Sequence, residues 1–200
     1  MTRELVVASR NPHKVREIER LLAGLDARLL SLADYPDVAD IPETAETFAE
    51  NARGKAMAVS RATAKWALAD DSGLEIDALG GRPGTQSRRF AGEGATDADR
   101  IAKVLSLMAE GPDDQRSARF RCAVAIAEPS GLVHEVSGTC EGTIARAPRG
   151  SGGFGYDPIF LPAGESRTMA ELSLDEKNAI SHRGKALRAA VDVLRRLWGT

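Results

Sequence analysis

The apolar positions of this chain switch repeatedly between two periods. Residues 4–8 are a short apolar run bounded by Ser9 and Asn11, the pattern of a buried strand. Val15, Ile18, Leu22 and Leu25 then recur at helical spacing, with Asn11 placed to cap that helix, Pro12 in its first turn, and Gly24 weakening the pattern. A strand is predicted over residues 28–32, then a loop with Pro and Asp as far as Pro42. Thr47 and Glu50 have capping-box spacing, and Phe48, Ala52, Lys55, Ala56 and Val59 share one helical face. Residues 67–69 lead into the polar turn Asp70-Asp71-Ser72-Gly73, after which residues 74–79 alternate like a strand, so both aspartates are expected at a strand end.

Residues 80–84 read as a loop. Thr96 and Asp99 open a helix carrying Ile101, Val104, Leu105 and Met108, which Gly111-Pro112 stops. Residues 120–127 and 133–139 pattern as a hairpin joined through Pro129-Ser130-Gly131, and a further strand pair at 143–146 and 158–161 brackets a glycine-rich loop. Leu187, Ala190, Val191, Leu194, Leu197 and Trp198 form the stripe of a last helix ending at Gly199. Interleaved strands and helices without repeat or linker predict one α/β domain over residues 1–200. Its long mixed sheet, flanked by helices, is expected to split into two lobes around a cleft.

Composition narrows the function classes. The 200 residues are 42% hydrophobic and 28% charged, an ordinary globular make-up, and a net charge of -2 offers no general basic face to a nucleic acid. Cys122 and Cys140 lack the paired spacing of a zinc or redox site and read as packed thiols. The start of the chain lacks the apolar core of a signal peptide and no segment is long enough to span a bilayer, so the expected setting is cytoplasmic, without a membrane partner.

Several segments carry candidate chemistry. Lys14 lies in the first turn of a helix, where the dipole disfavours a cation by about 0.3–1 kcal/mol unless an anion is bound there. Backbone N–H groups around Ser9, Arg10, Asn11, Pro12 and His13, with the Lys14 ammonium, can hold phosphate oxygens; equally, Asn11 can simply cap while Lys14 stays solvated. Lys55 falls on the face that should be buried, where an unpaired ammonium is costly, so it either snorkels or reaches a phosphate. Asp70 and Asp71 can close an Asx-turn, or Asp71 with a second acid such as Glu43 can hold Mg2+ bridged to substrate phosphates.

The run Gly150-Ser151-Gly152-Gly153-Phe154-Gly155 matches a dinucleotide fingerprint but leads into Tyr156-Asp157-Pro158 and a strand, so that reading fails on context. Phe154 and Tyr156 beside Asp157 suit a planar base better, since stacking on an aromatic is worth about 1–3 kcal/mol; a tight turn with core aromatics is the bland alternative. Lys177, His182 and Arg183 gather cations near the start of the last helix, as an oxygen clamp or a solvated charge run. There is no P-loop, and no Ser/His/Asp or Cys/His set stands out.

Taken in order, Ala8-Ser9-Arg10-Asn11-Pro12-His13-Lys14, Glu43-Thr44 with Phe48 and Glu50-Asn51-Ala52, Ala69-Asp70-Asp71-Ser72-Gly73-Leu74, residues 80–84, residues 152–160 and Ser181-His182-Arg183-Gly184 resemble the inosine/xanthosine triphosphate pyrophosphatase family, the non-canonical purine NTP pyrophosphatases. The resemblance spans nearly the whole chain. It implies an elongated two-lobed α/β fold, a homodimer, and Mg2+-dependent cleavage of dITP, ITP or XTP between the α and β phosphates. By matching positions, Asp71 is the catalytic base and a metal ligand, and Glu43 the second metal carboxylate. Ser9 to Lys14, Lys55, Ser72, Lys177 and Arg183 then surround phosphates and sugar, while Phe154, Gly155, Tyr156, Asp157 and His182 hold a 6-keto purine. Gln86 and Arg88 depart from the pattern, where the family tends to an aromatic or aliphatic residue and then Ser-Ala-Arg. The rival readings are a house-cleaning enzyme for modified pyrimidine or methylated nucleotides, and a nucleotide-binding module without turnover. All depend on these side chains converging.

Overall fold

The computed structural model describes residues 3–199. Strand β1 (Arg3–Val7) is followed by helix α1 (Pro12–Leu22), strand β2 (Ala27–Ser31), helix α2 (Phe48–Thr63) and strand β3 (Trp66–Ile76). Helix α3 (Asp97–Leu107), strands β4 (Ser117–Ala127) and β5 (Val133–Ile144), strand β6 (Phe160–Pro162) and helices α4 (Leu174–Ile180) and α5 (His182–Trp198) complete the order. The sheet runs β2-β1-β3-β4-β5-β6. It is mixed, because β1 pairs in parallel with β2 and β3 while β5 and β6 pair antiparallel, Thr143 opposite Leu161.

Helix starts follow their caps. The Asn11 side chain accepts from the backbone N–H of His13 and Lys14, and Pro12 opens α1. Thr47 caps α2 by accepting from Glu50 N, and Thr96 with Asp99 forms the full capping box of α3. Helix α4 was not anticipated, although Ser173 and Glu176 form the same box and its signature is present in the sequence.

Strand β3 corrects the expected turn. It runs unbroken through Asp70-Asp71-Ser72-Gly73, so the two aspartates lie inside a strand and not at its end. Burial explains the difference: Asp70 and Asp71 have ionic and amide partners within the protein, and Gly73 keeps an ordinary backbone conformation. Likewise β5 continues to Ile144 and absorbs the strand expected at 143–146.

The chain divides into two compact units. The first comprises Met1–Asp71, Cys122–Gly138 and Arg183–Thr200. Its core has two parts, split by the period-2 alternation of β1. Leu5 and Val7 join Ile18, Leu22, Leu68, Val124, Leu187 and Leu194, while Val6 and Ala8 join Ala52, Ala56, Val59 and Ala67. The second unit comprises Ser72–Arg121 and Thr139–His182, and its core gathers Leu74, Ile76, Val104, Phe120, Tyr156, Ile159 and Phe160. Among the described residues no helix is long and apolar enough to cross a membrane.

Candidate active site

In the first unit, three helices bring charged side chains together around β3. Lys14 on the first turn of α1 places Nζ 3.2 Å from Asp70 Oδ2. Lys55, on the inner face of α2, donates to Glu43 Oε1 at 2.5 Å and to the Asp70 carbonyl at 2.7 Å. Arg183, at the start of α5, donates from Nε to Asp70 Oδ2 at 3.1 Å and from a terminal nitrogen to Glu17 Oε2 at 2.5 Å. Asn51, one helical turn before Lys55, donates from Nδ2 to Asp71 Oδ2 at 2.9 Å.

The adjacent aspartates are driven in opposite directions. Burial alone would raise the Asp70 carboxyl, but Lys14, Arg183 and Lys55 outweigh it and hold Asp70 well below the usual carboxylate range. Asp71 is pushed up to about 6, first by burial and then by the charge of Glu43, against the pull of Lys14 and Lys55. Burial also works to raise Glu43, but Lys55 overcomes it and the group is lowered. One strand therefore carries a locked anion beside a carboxylate that holds its proton far more tightly, the divergence expected of a reactive centre.

The remaining N-terminal candidates take distinct places. Ser9 is half-buried and its hydroxyl accepts from Asn11 N at 3.2 Å; Pro12 and His13 are exposed. Arg10 spans the loop after β2, donating to the carbonyls of Leu32 at 2.8 Å and Val38 at 2.5 Å, with Asp40 at 3.1 Å. Its guanidinium thus fixes that loop. Arg183 is equally committed: it is 2% exposed, and Asp70 with Glu17 outweighs burial to keep its charge.

The second unit carries the remaining candidates. Asp157 Oδ2 accepts from Lys177 Nζ at 2.7 Å and from Phe154 N at 2.9 Å, and the same ammonium lies 4.8 Å from the centre of the Phe154 ring. Gly155 N donates to Asp97 Oδ2 at 2.7 Å. Gly153 has a φ of +69°, and a β-carbon there would lie 2.1 Å from Asp157 Oδ2, so the loop closes only around glycine. The expected pair of displayed aromatics is halved. Tyr156 is buried in the core and donates its hydroxyl to the Ser87 carbonyl at 2.8 Å, because a buried phenol needs that acceptor; Phe154 is only half-buried. His182 is buried and stacks on Phe120 with ring centres 4.7 Å apart and planes 12° from parallel. Ser72 is half-buried on β3.

Three contributors were absent from the sequence reading: Asp70 as the anchor of Lys14 and Arg183, Glu17 behind Arg183, and Asn51 against Asp71. Asn51 had a legible signal, since it lies on the buried face with Ala52, Lys55 and Ala56. Among the described residues no group of three or more His, Cys, Asp and Glu is arranged to hold a metal alone. A carboxylate pair such as Glu43 and Asp71 is nevertheless what a magnesium ion bridged to phosphates requires.

Residues 5–193 match the Ham1 family. The chain belongs to that family. A dITP/XTP pyrophosphatase of Desulforamulus reducens is 49% identical over 195 residues, covering 98% of this chain and 97% of the relative. One of Streptomyces coelicolor is 50% identical over 201 residues, covering both chains completely. Among solved structures, the HAM1 protein from Coxiella burnetii superposes with a TM-score of 0.89 at 47% identity, covering 97% of this chain and 99% of that one. The Staphylococcus aureus Ham1 protein gives 0.86 at 37% identity, over 96% and 98%. Ham1 membership and the α/β fold are thus both established for this chain.

Proposed function

We propose that this protein hydrolyses dITP, ITP and XTP to the nucleoside monophosphate and pyrophosphate with Mg2+, removing them from the nucleotide pool as a cytoplasmic homodimer whose residues 1–200 act as one domain. The observation that carries the reading is the Asp71 and Glu43 carboxylate pair, set beside Lys14 and Lys55 on a chain that aligns at about half identity with whole dITP/XTP pyrophosphatases. The donor set fits the ion: hard oxygens, one of them on a carboxyl raised first by burial and then by its acidic neighbour, invite a hard divalent cation that relieves the repulsion. Held by Glu43 and Asp71, Mg2+ would supply charge neutralisation to the substrate phosphates.

The protein's own residues supply the rest. Asp71, ionised above about pH 6 yet more basic than an ordinary aspartate, removes a proton from the attacking water or holds that water in line. The water oxygen bonds to the α-phosphorus as the bond to the bridging oxygen breaks, and the electron pair leaves on pyrophosphate. Lys14 and Lys55 neutralise that leaving charge, while Ser9, Asn11, Pro12, His13 and Ser72 border the phosphates and sugar. Arg10 and Arg183 act through what they hold, the loop after β2 and Asp70. For the base, Phe154 supplies the stacking face, and Gly155, Asp157 and His182 order the polar edge that prefers a 6-keto purine; Tyr156 supports that loop from the core, and Lys177, expected around phosphates and sugar, acts through the Asp157 carboxylate it holds. An adenine amino group leaves such polar groups unpaired, the strong form of rejection.

The decisive measurement is product identification on a panel of dITP, XTP, dUTP, methylated dTTP and dATP with Mg2+. Pyrophosphate from dITP and XTP, with dATP slower by at least about 100-fold, is expected. Separate phosphates, or faster turnover of dUTP, would sink the reading. Binding of dITP without pyrophosphate release would make the protein a nucleotide-binding module.

A further inference from the structure

Asn51 joins two features that the reaction needs together. Its side chain is 4% exposed on the inner face of α2. The carboxamide oxygen accepts from Ala45 N at 2.9 Å, while the nitrogen donates to Asp71 Oδ2 at 2.9 Å and also approaches the Ala45 carbonyl at 3.4 Å. Ala45 lies two residues after Glu43, in the stretch between the loop after β2 and the start of α2. One planar amide therefore grips the backbone that carries Glu43 and the carboxylate of Asp71 at once.

We infer that Asn51 is a positioning residue that sets the Glu43 and Asp71 carboxylates relative to each other and so governs divalent-cation binding at the site. The inference rests on the proposed pyrophosphatase reading and deepens it. The chemistry demands asparagine in particular. Ala45 N needs an acceptor and the Asp71 carboxylate needs a donor, and only an amide offers both in one plane at this length. Aspartate at 51 keeps the acceptor but puts a third carboxylate against Asp71; alanine removes both. A ligating carboxylate held from behind by a hydrogen bond has less freedom to turn away from the ion. Losing such a partner commonly weakens metal affinity or activity about 10–100-fold.

The test compares wild type with Asn51→Ala and Asn51→Asp. Wild type that releases no pyrophosphate from dITP with Mg2+ defeats the functional reading itself, before Asn51 is at issue. Given an active wild type, two quantities are measured in each variant: kcat and KM for dITP, and the MgCl2 concentration that half-saturates the rise in thermal midpoint of the substrate-free protein. The inference expects kcat to fall at least about 10-fold in both variants, with KM for dITP within about 3-fold. It also expects half-saturating MgCl2 to rise about 10-fold or more in Asn51→Ala. A kcat and a MgCl2 response of Asn51→Ala both within 3-fold of wild type overturn it. So does a pure rise in KM. If Asn51→Ala fails to fold, the isosteric Asn51→Asp decides by kcat alone. If neither folds, the residue serves stability and the inference is wrong.

Discussion

Asp70 and Asp71 are chemically identical neighbours on one strand, and their surroundings give opposite signs to their stability contributions. Asp71 binds its proton more tightly folded than unfolded, since its value of about 6 lies above the ordinary one near 3.9. Its contribution is intact below about pH 4 and becomes a cost as pH rises toward 6, on the order of 2–3 kcal/mol at pH 7 without metal. Asp71→Asn is therefore expected to lose turnover by at least about 1,000-fold while raising the thermal midpoint of metal-free protein at pH 7.5, a gain that vanishes near pH 4. Asp70 has the reverse sign: its depressed folded value stabilises above the ordinary aspartate range and is lost as pH falls through and below it. Asp70→Asn strands the buried Arg183 with Glu17 alone and should cost about 3–5 kcal/mol. Chemical denaturation of both variants across pH checks the pair; a destabilised, still active Asp71→Asn would remove Asp71 from its role.

Among the elements, the loop before Asp157 is the least tolerant of change. Gly153→Ala combines a left-handed backbone with a β-carbon driven into Asp157 Oδ2, which would displace that carboxylate from Phe154 N and Lys177. The expected result is a KM for dITP raised about 10-fold or more, with a folded protein by circular dichroism; an unchanged KM would separate this loop from the base. Elements whose ends are marked by side-chain caps, such as α1, α2 and α3, were readable from the sequence because Asn11, Thr47 and Thr96 act locally. Strand β3 was misread through its acidic segment because local propensity treats Asp-Asp-Ser-Gly as a turn. Cations from α1, α2 and α5 overrule that preference, and no local window contains them. Lys55 is flagged by its helical phase and Glu43 as an example of a second acid beside Asp71, but neither signal pairs the two, and Glu17 has none, since a carboxylate near Ile18 has no periodicity of its own to betray it.

For the whole molecule, the first unit is assembled from three separated stretches of chain, the last of them α5. Leu187, Ala190 and Leu194 of that helix are fully buried in one cluster with Leu68 of β3 and with Leu5 and Val7 near the other end of the sequence. Leu187→Ala should cost about 2–5 kcal/mol in denaturant unfolding, while Leu132→Ala, at a side chain 63% exposed, should cost less than about 0.5. Equal losses at both sites would contradict the assigned core. The same arrangement bears on how the protein is made. A ribosome delivers the chain from its amino terminus at about 5–20 residues per second. The Leu5 and Val7 face of the first strand therefore completes its cover only once α5 has emerged, and Arg183, a counter-ion of Asp70, arrives with that helix. Hydrolytic competence should thus appear only after α5 has left the ribosome, with earlier nascent intermediates dependent on chaperones to shield the partly covered apolar face.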